Sequence, residues 1–151
     1  MSMPFRLLVD RNCYNAVVAH ALAQRPLECV GLLAGRIGPA APAGADVPLG
    51  RVTRHYPLVN ELASPVEFLS GGRSLLDAHK DMRREGLDLL AIYHSHPTSE
   101  PIPSRKDLER NYHGPDVVNL IVSLTTDPPT VRGWWLTDVA YREAEVEVAG
   151  S

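Results

Sequence analysis

The sequence has 151 residues, which suits one domain spanning 1–151 with a core it can bury without disulfide or metal staples. Apolar residues make up 44% and charged residues 22%, at a formal net charge of −3, the mix of an ordinary water-soluble fold. No basic block stands out, so nucleic acid has no electrostatic footprint here, and no run approaches the roughly 20 apolar residues that a membrane crossing needs. The apolar run at the N-terminus is too short for a signal peptide, and Cys13 and Cys29 form no CxxC pair; the expectation is a cytoplasmic protein with two small buried thiols.

In chain order, Phe5–Val9 reads as a first strand and Asp10 as the N-cap of a helix whose apolar face is Tyr14, Val17, Val18, Ala21 and Leu22, bounded by Pro26. Leu27–Gly35 is an apolar run between breakers and predicts a buried strand; Arg51–Val59 predicts its antiparallel partner, across a Pro/Ala/Gly-rich hairpin loop over 38–50. Residues 60–72 read as irregular. Arg73–Glu85 predicts a helix with Leu75, Leu76, His79 and Met82 on one face, and Gly86 closes it. Leu87–Tyr93 predicts a central strand ending in His94-Ser95-His96-Pro97. A proline-rich loop and a short helix, Ser104–Asn111, follow, then three strands at Val117–Leu124, Val131–Leu136 and Tyr141–Val148. This order predicts an α/β (α+β) domain with a mixed β-sheet flanked by helices.

His94 and His96 stand two apart at a strand end, where alternation turns both imidazoles to the same side and lets two nitrogens converge on one ion. Two surface histidines in a turn would look the same. Asp107, eleven residues on, sits in Ser104-x-x-Asp107, which is also a capping-box pattern; the two roles are compatible, because i and i+3 share a helix face. Glu28 lies inside an apolar run, where a buried carboxylate is costly unless it is paired, although an exposed strand start would also accommodate it. Taken together, two histidines and one carboxylate make a three-ligand zinc site with an open position for a water. Zinc brings the pKa of such a water to about 7, Glu28 can accept its proton and pass it to a leaving amine, and the Ser104 hydroxyl can donate to an oxyanion.

The set Glu28, His94-x-His96-Pro97 and Ser104-x-x-Asp107 resembles the JAMM motif of the MPN/Mov34 (JAB, PAD-1) metalloproteases. The flanks Pro26–Gly35, Tyr93 and Asn60–Phe68 are similar to those of the small bacterial members, and the likeness runs from about Phe5 to Val148. The resemblance implies a sheet between helices similar to cytidine deaminases, with His94, His96 and Asp107 as zinc ligands, Glu28 as general acid/base and Ser104 as oxyanion partner. Ser95 receives no role at the ion. It further implies a metalloprotease that cuts the peptide or isopeptide bond after the C-terminal Gly-Gly of a ubiquitin-like sulfur-carrier protein, its partner. The tail would lie along a strand edge, where glycines pass a narrow cleft. The chain lacks the long insertions of linkage-specific deubiquitinases, and exposed apolar positions would support a homodimer.

Three other readings compete. A non-catalytic scaffold of the same fold would have lost motif residues, and all five are present. A zinc deaminase needs H-x-E followed by P-C-x-x-C, which does not occur. A plain binding module needs four coincidences of spacing. His20, His55, His79 and His113 belong to no motif and read as surface or satisfied residues.

Overall fold

The computed structural model describes residues 3–40, 42, 44–63 and 72–150. The resemblance quoted over Asn60–Phe68 therefore lies partly outside the described residues, from 64 onward.

The elements follow the sequence closely. They are β1 (Arg6–Val9), α1 (Arg11–Gln24), β2 (Val30–Gly38), β3 (Leu49–Leu58), α2 (Gly72–Glu85), β4 (Asp88–His96), α3 (Arg105–Glu109), β5 (Val118–Ser123), β6 (Thr130–Leu136), β7 (Tyr141–Glu143) and β8 (Val146–Val148). Asp10 caps α1 through its carboxylate, which accepts the amides of Asn12 and Cys13. Gly86 ends α2 at φ +65°, a backbone angle that side chains with a Cβ seldom adopt.

Eight strands form one mixed sheet in the order β7-β6-β5-β4-β2-β3-β1-β8. β2 pairs antiparallel with β3 and β4, while β4 and β5 run parallel, as do β1 and β3. β4 is central, as its continuous apolar run predicts. One face packs on α1 through Cys13, Val17 and Ala21, against Leu33, Ala91, Tyr93, Leu120 and Trp135. The other face carries α2 through Ala78 and Met82, against Val30, Leu32 and Ile92, and farther along carries Leu108 of α3 against Ile121, Trp134 and Leu136.

Three expectations need correction. The predicted strand Tyr141–Val148 is two strands on opposite edges: β7 pairs with β6, and β8 pairs parallel with β1. Ala144 and Glu145 span the gap, donating to Gly133 and accepting from Leu7 through the backbone. The sheet therefore curls until its two edges are two residues apart in the chain. The helical faces also differ: Leu76 and His79 on α2 and Leu22 on α1 are exposed, and Ala78 and Cys13 take buried positions instead. Finally, β2 begins at Val30, so Glu28 and Cys29 lie just before the strand.

Candidate metal centre

β4 runs through both histidines before it ends, and alternation sends His94 and His96 to the α2/α3 face. Both are buried. Ser104 caps α3, and its hydroxyl accepts the Asp107 amide while the Asp107 carboxylate accepts the Ser104 amide. That same carboxylate meets both imidazoles: Asp107 Oδ1 lies 3.2 Å from His94 Nε2, and Oδ2 lies 3.1 Å from His96 Nε2. The two Nε2 atoms are 3.1 Å apart. Cap and cluster residue are thus one side chain, as the i, i+3 argument allowed.

One donor atom from each of His94, His96 and Asp107 fits within 4.8 Å of the others. This is the donor set of a borderline-soft divalent cation, two imidazoles and a carboxylate converging from a rigid strand and a helix start. His96 Nδ1 lies 2.7 Å from the Glu100 carbonyl, an acceptor, so that nitrogen carries the hydrogen and Nε2 is the atom left for a ligand role. Burial works to raise the Asp107 carboxyl, but the imidazole of His94, the hydrogen bonds from both histidines and the Ser104 amide outweigh it and hold the group well below the usual carboxylate range. Burial likewise works to lower His96, and the bonds to Asp107 and Glu100, with the charges of Asp107 and Glu28, raise it overall. A positive charge at this point is favoured, whether a proton or a metal ion supplies it.

Glu28 is buried, at 4% exposure, although it lies outside the strand. Its backbone is held from two sides. Val30 pairs with His94, and the ladder continues past the strand end: Ser95 donates its amide to the Cys29 carbonyl at 3.2 Å, and the Cys29 amide donates to Ser95 Oγ at 2.8 Å. Glu28 therefore falls opposite His96 and on the same face of the sheet. From the β3 side, Asn60 Nδ2 donates to the Glu28 carbonyl at 2.9 Å. Ser95 points away from the cluster and acts on the Glu28 segment from behind. Asn60 was missed as a contributor; its sole signal is the run Asn60-Glu-Leu-Ala, which says nothing of where a carboxamide points.

Of the remaining histidines, His79 is exposed, and His20 and His55 are satisfied by one shared partner that the sequence does not show. His20 Nδ1 and His55 Nε2 each lie 2.6 Å from the Tyr93 hydroxyl on the α1 face. Tyr93 reaches them by lying over Gly31, where a Cβ would stand 2.2 Å from the ring.

Residues 10–137 match the family described as prokaryotic homologs of the JAB domain. The chain is 40% identical over 104 residues to a "Probable TtuB-protein conjugate cleaving protease" of Thermus thermophilus, a match covering 68% of this chain and 62% of that protein. It is 33% identical over 144 residues to a "CysO-cysteine peptidase" of Mycobacterium tuberculosis, covering 94% and 90%. A solution structure of a Desulfitobacterium hafniense protein superposes with a TM-score of 0.81 at 30% identity, covering 96% of this chain and 94% of that one. A JAB1/MPN domain protein of Archaeoglobus fulgidus shares the fold at a TM-score of 0.54 and 18% identity, over 95% and 98%. The chain belongs to the prokaryotic JAB family, and its mixed sheet flanked by helices is the fold of a JAB/MPN domain.

Proposed function

We propose that this protein is a zinc metallopeptidase that hydrolyses the peptide or isopeptide bond after the C-terminal Gly-Gly of a ubiquitin-like sulfur-carrier protein. The observation that carries the reading is the buried convergence of His94, His96 and Asp107, with Glu28 held opposite His96 on the same sheet face. Family membership supports the hydrolytic class. The kinds of two relatives, a probable conjugate-cleaving protease and a CysO-cysteine peptidase, support the substrate class.

His94, His96 and Asp107 would hold the zinc. When bound, the metal supplies Lewis acidity, polarising a carbonyl and bringing the pKa of water to about 7. Glu28 takes the proton of the attacking water and delivers it to the leaving amine, a role that contributes on the order of 10²–10⁴ in rate. Its burial keeps competing water away from that transfer. Ser104 has a hydroxyl lone pair committed to the Asp107 amide, so its hydrogen remains to donate to the developing oxyanion. The free, buried thiols of Cys13 and Cys29 suit a reducing cytoplasm.

The test is incubation of zinc-loaded protein with ubiquitin-like carriers bearing C-terminal extensions, with mass spectrometry of the products. Release of a carrier ending in intact Gly-Gly is the expected result. Cleavage elsewhere, or of none of these carriers, would remove the substrate assignment.

A further inference from the structure

The loop joining His96 to Asp107 contains Pro97, Pro101 and Pro103, none of which has an amide hydrogen to donate. Fewer of its carbonyls can therefore find donors within the loop. Three consecutive ones are taken by side chains from three adjacent strands. Ser123 Oγ of β5 donates to the Ser99 carbonyl at 2.6 Å, His96 Nδ1 of β4 meets the Glu100 carbonyl at 2.7 Å, and Trp134 Nε1 of β6 donates to the Pro101 carbonyl at 2.9 Å. The Glu100 carbonyl also accepts the Ile102 amide at 2.8 Å, and Ile102 packs on the cluster of Ile121, Trp134 and Leu136.

Neither Ser123 nor Trp134 belongs to the metal cluster, yet both are buried and both are themselves held. The Ser123 hydroxyl lies 2.7 Å from Thr125 Oγ1. The Trp134 ring has the Arg132 guanidinium over it at 4.6 Å and Tyr141 edge-on at 5.3 Å, and Arg132 is tied to Glu143 by two bonds of 2.8 and 2.9 Å.

We infer that Ser123 and Trp134 are positioning residues of the metal centre. By pinning the carbonyls on either side of Glu100, they hold the Glu100 carbonyl against His96 Nδ1 and fix the path on which the chain enters the Ser104–Asp107 cap. The three-ligand geometry therefore exists before the ion arrives, and binding need not order the loop over 97–103. This inference rests on the metal reading above.

The test is zinc affinity, measured by competition with a chelating dye, for wild type, Ser123→Ala and Trp134→Phe, with the melting of each metal-free protein recorded alongside. Trp134→Phe keeps the ring and loses the N–H; Ser123→Ala loses one oxygen and stays informative if the tryptophan variant fails to fold. Each variant is expected to melt cooperatively and to bind zinc about 10-fold more weakly, the lower end of the cost of disturbing an outer contact to a ligand, because the Glu100 carbonyl that meets His96 is loosened and not removed. Wild-type affinity in both variants, whatever their melting temperatures, would reduce the two side chains to fold elements and overturn the inference. Failure of the wild type itself to bind zinc would overturn the metal reading, and this inference with it.

Discussion

At the scale of single residues, Asp107 shows how one side chain can serve two ends. Its carboxylate closes the capping box with Ser104 and also faces both imidazoles. Asp107→Asn separates the roles, because an amide oxygen can still accept the Ser104 amide but brings no negative charge to a cation. The variant is expected to keep the metal-free melting temperature close to that of wild type while losing stoichiometric zinc, as read by elemental analysis. A large fall in stability with zinc retained would make Asp107 a cap alone. The histidine pair was legible because strand alternation places i and i+2 together. Glu28 was legible only by its company: a carboxylate in an apolar run could equally be an exposed strand start, and the Cys29–Ser95 bonds that bury it beyond the strand have no residue signature.

At the scale of elements, the hydroxyl of Tyr93 joins three of them, with His20 on α1 and His55 on β3 each 2.6 Å from it. Burial, followed by the charge of His20, pushes His55 down to about 4 from its ordinary value of 6.5, and burial lowers His20 as well. The folded state thus resists a proton that the unfolded chain accepts. Stability from this contact is complete above about pH 6.5 and is lost as pH falls toward 4. Urea midpoints of metal-free protein are expected to fall across that window in the wild type and to fall less in His55→Gln, which has no proton to take up. Identical acid limbs would exclude His55 as a cause. The sequence could not show this cluster, because three residues from three segments carry no shared spacing. Boundaries set by strong local chemistry, such as Asp10 and Gly86, were readable. The α2 face was not: Leu76 and His79 fit a helical period and yet point to solvent, since the sheet reaches only as far round as Ala78 and Met82.

At the scale of the whole molecule, the curl of the sheet decides what the C-terminal segment does. Residues 141–148 alternate like one strand and contain no glycine or proline, so nothing in them announces a break. The break at Ala144–Glu145 arises because the sheet's two edges have come together there, and the chain passes from β7, paired with β6, to β8, paired with β1. Gly133 marks the junction: a Cβ at this position would stand 2.5 Å from Val146 Cγ2 and 3.1 Å from Leu120 and Val118. Gly133→Ala is expected to cost about 1–3 kcal/mol by overpacking, and less in a Val146→Ala background, a coupling measurable by a double-mutant cycle in urea. Strict additivity would mean that β6 and β8 do not touch. Ladder pairing, not the curl, sets β4, β5 and β6 side by side beneath the loop that carries Asp107 toward the histidines.

The central claim, that Glu28 does chemistry at a metal centre it does not help to form, is tested most directly by one paired measurement on Glu28→Gln: bound zinc and hydrolysis of a Gly-Gly-linked carrier fusion on the same preparation. The account predicts zinc at the wild-type level with turnover down by about 10²–10⁴. Turnover at the wild-type rate with zinc in place would contradict it.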